Sequence, residues 1–262
     1  MHFFAGGVIL WERAAALFAE TAAGNHEEEV PPPGGSGRGS FSMKALLCGW
    51  VKCLLDAFFA GIFIGIAGTV FLASSNPVAG AFLFGLGLLG ILCFSLKLYT
   101  GAIGYLASQG KNFFRFLFDL LLIWLGNFAG CFTVGTLVRA SRTFPGIAAK
   151  ASAAVDARLL DSPVSLLILS IFCGMLMFAA VDSFRNGKLP APCRPLMVIL
   201  CVMVFILSGF EHCIADMYYF SVGGAWNKDV LLLTLWLTLG NSIGGNLLGA
   251  HVKLSGALTA GR

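Results

Sequence analysis

The sequence predicts an all-α membrane protein with six transmembrane helices, arranged as two inverted three-helix repeats whose second and fifth helices are broken. Three observations lead to this prediction: the apolar composition, the grouping of apolar residues into long blocks, and an internal repeat. Of the 262 residues, 58% are hydrophobic and 11% are charged, whereas a soluble domain is nearer half apolar and a quarter charged. So few charges cannot solvate the surface of a water-soluble protein.

Residues 1–42 differ in composition from the rest of the chain. The stretch "HEEEVPPPGGSGRGS" is acidic and then rich in proline and glycine, which is typical of a disordered linker. Met43 is followed at once by Lys44 and an amphipathic lead-in. We therefore expect residues 1–42 to be a disordered or dispensable extension, with Met43 as the alternative start, and residues 43–262 to form the six-helix transmembrane domain.

The apolar residues after Met43 fall into six blocks. Crossing a hydrocarbon core of ~30 Å as a helix takes about 20 residues. The blocks cover residues 52–73, 79–107, 113–138, 163–182, 195–222 and 230–252. Since the second and fifth are longer than one crossing needs and carry polar residues near the middle, we expect breaks within residues 93–106 and 209–220.

An internal repeat relates the two halves of the domain. "LGNFAG" at 125–130 recurs as "LGNSIG" at 239–244, an offset of 114 residues. The same offset relates three further pairs: Gly135 and Gly249, Tyr105 and Tyr219, and Lys97 and Glu211. Because each copy holds an odd number of spans, the copies must cross the membrane in opposite orientations, and such inverted repeats place a substrate path at their interface.

Basic residues favour both termini on the cytoplasmic side of the cell inner (plasma) membrane. With the N-terminus inside, more lysines and arginines fall in inner than in outer segments, as the positive-inside tendency requires. The outer loop 139–158 is basic despite its position, so we expect it to have a purpose of its own. No run of basic residues suits nucleic-acid binding, and no nucleic acid is expected as a partner.

The motifs of several other protein classes are missing. The 8 cysteines lie mostly in apolar blocks, with no CxxC pair and no zinc spacing, so they are interpreted as packing residues and no metal or cofactor is predicted. The sequence has no Walker motif, which excludes ATP-driven transport. An enzyme would need a nucleophile with a base or a metal cluster, and His212 has no partner at ligand spacing.

His212 is the strongest candidate for a functional residue. It lies beside Glu211 in "SGFEHCIADM" (208–217), within an apolar block. Ionisable residues inside a membrane are rare and mark transport paths by default. We expect His212 to line a pore, the alternative being a packing histidine bonded to a neighbouring helix.

The sequence resembles the formate/nitrite transporter family. The resemblance is carried by "AGIFIGIAG" in the first span, "LYTG" (98–101), "GNFAG" (126–130), "SGFEHCIADM" (208–217) and "GNSIGG" (240–245). It implies an aquaporin-like architecture of six spans with two broken helices, assembled as a homopentamer with one pore per protomer. It also implies that the substrates are small monovalent anions of weak acids, such as formate, nitrite, hydrosulfide and lactate.

The resemblance also implies roles for individual residues. The central histidine of the family falls on His212, its loop threonine on Thr100 and its vestibule lysine on Arg158. Apolar constrictions above and below the histidine would involve Phe84, Leu88, Leu98, Tyr99 and Phe205. Three positions depart from the family pattern: the vestibule lysine is replaced by Arg158, the asparagine of the fourth span falls on Gly174, and the one following the histidine falls on Asp216.

Two pairs of repeat-related residues concern the predicted breaks: Lys97 and Glu211 lie within them, and Asn127 and Asn241 lie in the paired "LGN" motifs. We expect Lys97 and Glu211 to form a structural ion pair, because pairing stabilises two charges at depth; the alternative is that each caps a separate broken helix. Asn127 and Asn241 could bond the carbonyls left open by the breaks or face the permeant ion. The structural role is favoured for Asn127, and both roles stay open for Asn241, which is kept as a candidate pore residue.

The predicted function is a membrane channel or permease for small monovalent weak-acid anions of the formate or nitrite type. His212 would assist passage by protonation or hydrogen bonding. A hydrosulfide or a lactate and acetate channel of the same family is the first alternative. An aquaporin-like neutral-solute channel is an alternative of another class, although its paired Asn-Pro-Ala turns are missing. The expected partners are the substrate anion, the lipid bilayer and the other subunits of the homopentamer.

Overall fold

The computed structural model describes residues 43–187 and 189–260, which fold as α-helices joined by short connections. The α-helices of this described part are α1 (Met43–Ala73), α2 (Pro77–Cys93), α3 (Tyr99–Ala102), α4 (Phe113–Arg139), α5 (Phe144–Leu159), α6 (Pro163–Arg185), α7 (Cys193–Leu207), α8 (Cys213–Gly223) and α9 (Lys228–Ala260). Two 3₁₀ helices, Ile103–Ser108 and Gly110–Asn112, connect α3 to α4. No strand occurs in these ranges, and the all-α prediction is confirmed. The predicted extension, residues 1–42, lies outside them.

Within the described part of the chain, four helices are long and apolar enough to cross a membrane. They are Leu46–Ala73, Gly110–Arg139, Pro163–Arg185 and Lys228–Leu258. The apolar helices α2 and α7 are shorter, at 17 and 15 residues. Each of these two is interrupted and then followed by a second helix, so the predicted second and fifth blocks are both broken.

The interruptions are shorter than the sequence predicts. The chain leaves helical structure at residues 94–98 and 208–212, and helix resumes at Tyr99 and Cys213. The predicted intervals, 93–106 and 209–220, are therefore mostly helical. The predicted intervals are too long because they follow the polar residues of the sequence, and polar residues continue into α3 and α8.

Local signals in the sequence explain where α2 and α6 begin. Asn76 caps α2 by accepting hydrogen bonds from the backbone N–H groups of Val78 and Ala79 at 2.9 and 3.1 Å, and Pro77 occupies the first turn. Ser162 caps α6 by accepting from Ser165 N at 3.2 Å, again with a proline in the first turn. A side-chain oxygen at the cap satisfies N–H groups that have no partner within the helix.

Equivalent helices of the two halves pack through equivalent glycines. α1 packs on α4, and α6 packs on α9. A Cβ atom on Gly61 would lie 2.3 Å from the carbonyl oxygen of Asn127, and one on Gly174 would lie 2.2 Å from that of Asn241. Only glycine allows these backbones to approach so closely. The repeat is thus visible in the packing, while the opposite orientation of the halves in the membrane stays a prediction.

The segment predicted as a basic outer loop, 139–158, is largely a helix. It contains most of α5, which buries Ile147, Ala151 and Val155 and packs on α8 and α1. The loop prediction was wrong because α5 is alanine-rich, and its apolar face is too narrow to resemble a membrane span. This packing brings the end of α5 to the second break.

Candidate functional site

The two breaks meet at a hydrogen bond between Thr100 and His212. Thr100 lies in the first turn of α3, and His212 is the residue before α8. The distance between Thr100 Oγ1 and His212 Nε2 is 2.8 Å. Both residues are buried, with exposed fractions of 0% and 2%. The histidine and threonine singled out in the sequence are therefore direct neighbours, although 112 positions separate them.

The surroundings of His212 define which of its nitrogens carries hydrogen. Nδ1 accepts a hydrogen bond from the backbone N–H of Ala215 at 3.0 Å, so His212 caps α8. A nitrogen that accepts a hydrogen bond bears no hydrogen of its own, which places the hydrogen of the neutral ring on Nε2. Nε2–H then donates to Thr100 Oγ1, and the hydroxyl hydrogen of Thr100 is left to donate to another acceptor.

Asn127 holds the first break in place. Its Oδ1 accepts from the backbone N–H of Tyr99 at 2.9 Å. Its Nδ2 donates to the carbonyl oxygens of Ala57 at 2.8 Å and Lys97 at 2.9 Å. The favoured structural interpretation of Asn127 is therefore what the geometry shows.

Asn241 holds the second break in the same way. Its Oδ1 accepts from Cys213 N at 2.9 Å, and its Nδ2 donates to the carbonyl oxygens of Ser170 at 2.7 Å and Glu211 at 2.8 Å. Both amide hydrogens are used on backbone groups. These bonds support the structural alternative for Asn241, and its place in the pore stays a prediction.

Apolar side chains surround the histidine. The ring of Phe205 stacks on His212 with centroids 5.5 Å apart, and Phe84 packs edge-on against Phe205 at 5.8 Å. Phe84, Phe205, Leu88 and Leu98 are all buried.

Tyr99 belongs to the same buried core as this apolar group, and its place in a constriction stays a prediction. Its hydroxyl lies 2.9 Å from Ser242 Oγ, and its ring borders an apolar groove between α4 and α9. Successive helical residues point about 100° apart, because a turn takes 3.6 residues. Tyr99 therefore cannot face the same side as Thr100.

Arg158 forms ion pairs with two carboxylates at the second break. Its Nη2 lies 2.8 Å from Glu211 Oε2, and its Nε donates to Asp216 Oδ1 at 2.8 Å. The guanidinium also lies over the ring of Tyr219, 5.0 Å from its centroid. We call Arg158, Glu211 and Asp216 the charged cluster. Burial lowers the pKa of Arg158, but the carboxylates of Asp216 and Glu211 offset this and raise that pKa above its ordinary value, so the guanidinium stays charged.

The predicted ion pair between Lys97 and Glu211 does not form. Glu211 pairs with Arg158 instead, and Lys97 makes no ion pair with any described residue. Lys97 lies in a different place, in a cavity of about 160 Å³ that Leu98, Asp119 and Arg185 also line.

The charged cluster and the histidine share one cavity. Its volume is about 310 Å³, which is enough for a small anion and several waters. The residues that carry its chemistry are Arg158, Phe205, Glu211, His212, Asp216 and Tyr219. Arg158, predicted as a vestibule residue, thus lies in the same cavity as His212.

Sequence reasoning missed Asp216 as a member of the cluster. The available signal was the pair of departures from the family pattern, an arginine in place of lysine and an aspartate in place of asparagine. Arginine offers a planar fork that can bind two carboxylates at once, and the added carboxylate is its second partner. Gly174, the other departure, packs against the Asn241 backbone, where an asparagine side chain would not fit.

Comparison with known proteins assigns the chain to a family. The sequence pattern described as "Formate/nitrite transporter" matches residues 40–254. The chain belongs to the formate/nitrite transporter family. Among formate/nitrite relatives, the formate channel FocB of Escherichia coli strain K12 is 25% identical over 187 residues, 64% of this chain and 65% of the relative. The nitrite transporter NirC of Salmonella typhimurium is 24% identical over 214 residues, 75% of this chain and 78% of the relative.

The chain thus spans just under two thirds of the E. coli formate channel. Two solved structures share the fold. A "pentameric formate channel with formate bound" superposes with a TM-score of 0.65 at 24% identity, covering 82% of this chain and 99% of the other. An "FNT family ion channel" superposes with a TM-score of 0.67 at 20% identity, covering 81% and 91%. These formate/nitrite relatives are channels and transporters rather than enzymes.

Proposed function

We propose that the protein conducts small monovalent weak-acid anions of the formate or nitrite type across the inner membrane, as a homopentamer with one pore per protomer and both termini in the cytoplasm. The observation that supports this most directly is the hydrogen bond between Thr100 and His212, buried where the two broken helices meet. An ionisable side chain within a membrane domain marks a substrate path by default.

Arg158 would draw the anion into the cavity. Glu211 and Asp216 offset its charge at a distance, so the guanidinium would act on the anion at short range, through its positive charge and its N–H donors. The side chain is 12% exposed, so its charge is screened less than that of a surface arginine.

The apolar group formed by Phe84, Leu88, Leu98 and Phe205 would then exclude a bare charge. Moving an ion from water into such surroundings costs many kcal/mol unless it is neutralised or hydrogen-bonded. Passage therefore requires a proton for the anion, a set of donors, or both. The hydroxyl of Thr100, which His212 holds in place, would offer a donor on this path.

The hydrogen-bonding role of His212 fits the structure better than protonation. A second proton on the ring would have to occupy Nδ1, and Nδ1 is the acceptor of the Ala215 N–H. Protonation would turn that stabilising contact into a clash of two donors and uncap α8. His212 would thus act as a neutral ring that fixes Thr100 Oγ1, whose hydrogen is free to point at the substrate.

The test is flux in proteoliposomes with formate, nitrite, hydrosulfide, lactate and acetate compared side by side. We expect formate or nitrite to pass fastest, with His212→Phe as the negative control in an assembled pentamer. Fast hydrosulfide, or fast lactate and acetate, would select the alternatives within the family. Passage of water or glycerol without any anion flux would instead select the neutral-solute channel and overturn the proposal.

A further inference from the structure

The charged cluster holds more negative than positive charge. One guanidinium faces the two carboxyl groups of Glu211 and Asp216, which we call the carboxyl pair. Glu211 is 7% exposed and Asp216 is 0% exposed. With both carboxyls ionised, the cluster would carry one uncompensated negative charge, and such a buried charge costs several kcal/mol.

Each carboxyl also has an oxygen that lacks a hydrogen-bond donor. Among the described residues, Glu211 Oε2 and Asp216 Oδ2 are buried without a partner in hydrogen-bonding geometry. Glu211 Oε2 lies near Arg158 Nη2, at 2.8 Å, but outside that geometry. Both carboxyl groups contact the same guanidinium, Glu211 at Nη2 and Asp216 at Nε, so they lie side by side. Buried oxygens without donors are rare in proteins, and each calls for an explanation.

The other titratable groups around the carboxyl pair supply no second cation. They are Asp161 on the connection between α5 and α6, Cys173 on α6, His212 at the start of α8, and Cys213 and Tyr219 on α8. Arg158 is the one cation among these described neighbours. His212 is held neutral by the Ala215 N–H, so it does not balance the extra carboxylate.

We propose that Glu211 and Asp216 share one proton, and that this carboxyl pair donates it to anions that reach the cavity beside Arg158. A shared proton makes the cluster neutral and gives the partnerless oxygens a donor. The proposal rests on the proposed function, and it supplies the proton that His212, occupied at both nitrogens, does not.

The transfer is a simple acid–base step. The O–H bond of the carboxyl breaks while an O–H bond forms on the anion, and the bonding electron pair stays on the carboxylate. The anion becomes a neutral acid that can pass the apolar group at Phe205, and the cluster charge changes from zero to minus one. A proton from water on the same side of the pore restores the pair, so one proton accompanies each anion.

Desolvation acts on both partners of the proton transfer, the carboxyl pair and the anion. Burial favours the protonated form of the carboxyl pair, but an anion that leaves water for the same cavity also gains affinity for a proton. Desolvation thus raises the proton affinity of both the donor, the carboxyl pair, and the acceptor, the anion. Asp216 is the decisive residue, because without it Arg158 and Glu211 form a neutral pair that needs no proton.

Infrared spectroscopy of the assembled pentamer in lipid tests the proton site without any transport. At neutral pH we expect a carbonyl-stretch band of a protonated carboxylic acid in the unmodified protein. Asp216→Asn and Glu211→Gln should each remove this band, because the remaining carboxylate pairs with Arg158. The matched control is Asp182→Asn, since Asp182 accepts from Tyr105 and Asn186 away from the cluster, and it should retain the band. A missing band in the unmodified protein, or a full band in the assembled variants, would overturn the proposal.

Proton movement in proteoliposomes tests the donation. A pH dye inside the vesicles should report one proton entering with each formate in the unmodified protein. Asp216→Asn should slow proton entry at least about tenfold, within the range of a lost general acid, while Asp182→Asn leaves it unchanged. Unaltered proton entry in Asp216→Asn would contradict donation by the pair. If the protein carries no anion at all, the proposed function fails, and the infrared band still reports the proton site separately.

Discussion

His212 Nδ1 accepts a hydrogen bond from the backbone N–H of Ala215 at 3.0 Å, while its Nε2 lies 2.8 Å from Thr100 Oγ1. One side chain thus caps a half-helix and positions a hydroxyl on the opposite half-helix. Structure and transport are therefore coupled at this residue, and a substitution must be chosen to separate them.

His212→Phe should abolish weak-acid anion flux, because the ring can neither hold Thr100 nor offer a donor. Loss of the cap should also lower stability by about 0.5–2 kcal/mol. Size-exclusion chromatography and thermal melting will show whether the pentamer is assembled, and proteoliposome flux will show whether it conducts.

His212→Asn is the matched control for the cap. Asparagine is a strong capping residue, but it is too short to cap α8 and reach Thr100 together. We expect near-normal thermal stability with strongly reduced flux. Normal flux in this variant would mean that His212 contributes only as a cap.

Arg158→Ala should destabilise the pentamer by roughly 3–5 kcal/mol, because it leaves the buried carboxyl groups without their cation. In protein that still assembles, flux should fall most at low substrate concentration and low ionic strength, where attraction by a fixed charge is least screened. The measurements are thermal melting and flux at two salt concentrations.

Arg158→Lys separates charge from geometry at the same position. The ammonium keeps the attraction, but it cannot reproduce the separate contacts that Nε and Nη2 make with Asp216 and Glu211. We expect flux close to normal with a lower melting temperature. Equal losses of flux in the alanine and lysine variants, without salt dependence, would point to a purely structural role.

The spans, the breaks and His212 could be predicted from local patterns in the sequence, whereas Thr100 is implied by the resemblance to the family. Block length predicts a crossing, and polar residues within a long block predict an interruption. The repeat also extends to individual hydrogen bonds. Asn127 accepts from Tyr99 N and Asn241 accepts from Cys213 N, both at 2.9 Å. The two bonds are related by the 114-residue offset of the repeat.

The partner of Glu211 could not be predicted in this way. An offset identifies equivalent positions, and equivalent positions touch only near the axis that relates the halves. Trp124 Nε1 does donate to its equivalent, Thr238 Oγ1, at 3.0 Å, but Lys97 and Glu211 do not meet. The true partner, Arg158, lies on α5, and the position of α5 depends on packing between distant parts of the chain.

Asn127→Leu and Asn241→Leu should each prevent stable assembly. Either change removes a hydrogen-bond partner from one N–H and one carbonyl group at a break and from one carbonyl group on a neighbouring helix, at about 1–3 kcal/mol for each buried group left unpaired. We expect the two variants to lose similar amounts of pentamer on size-exclusion chromatography. The exposed Asn186→Leu, whose amide bonds only Tyr105 and Asp182, serves as the control. Full assembly of Asn241→Leu with reduced flux would return Asn241 to the pore.

Double-mutant cycles can separate the ion pair that the structure shows from the one that the repeat suggested. Arg158→Met and Glu211→Gln should be strongly coupled, because Arg158→Met leaves two carboxyl groups without their cation when Glu211 is present, and only Asp216 when position 211 is neutral. Lys97→Met and Glu211→Gln should be additive to within about 0.5 kcal/mol, the usual behaviour of residues that do not share a contact. Thermal melting of the pentamer in detergent gives the stability change of each single and double variant in the two cycles. Coupling of Glu211 to Lys97 that exceeds its coupling to Arg158 would mean that the charged cluster is not the arrangement in the membrane, and the carboxyl pair would lose its cation.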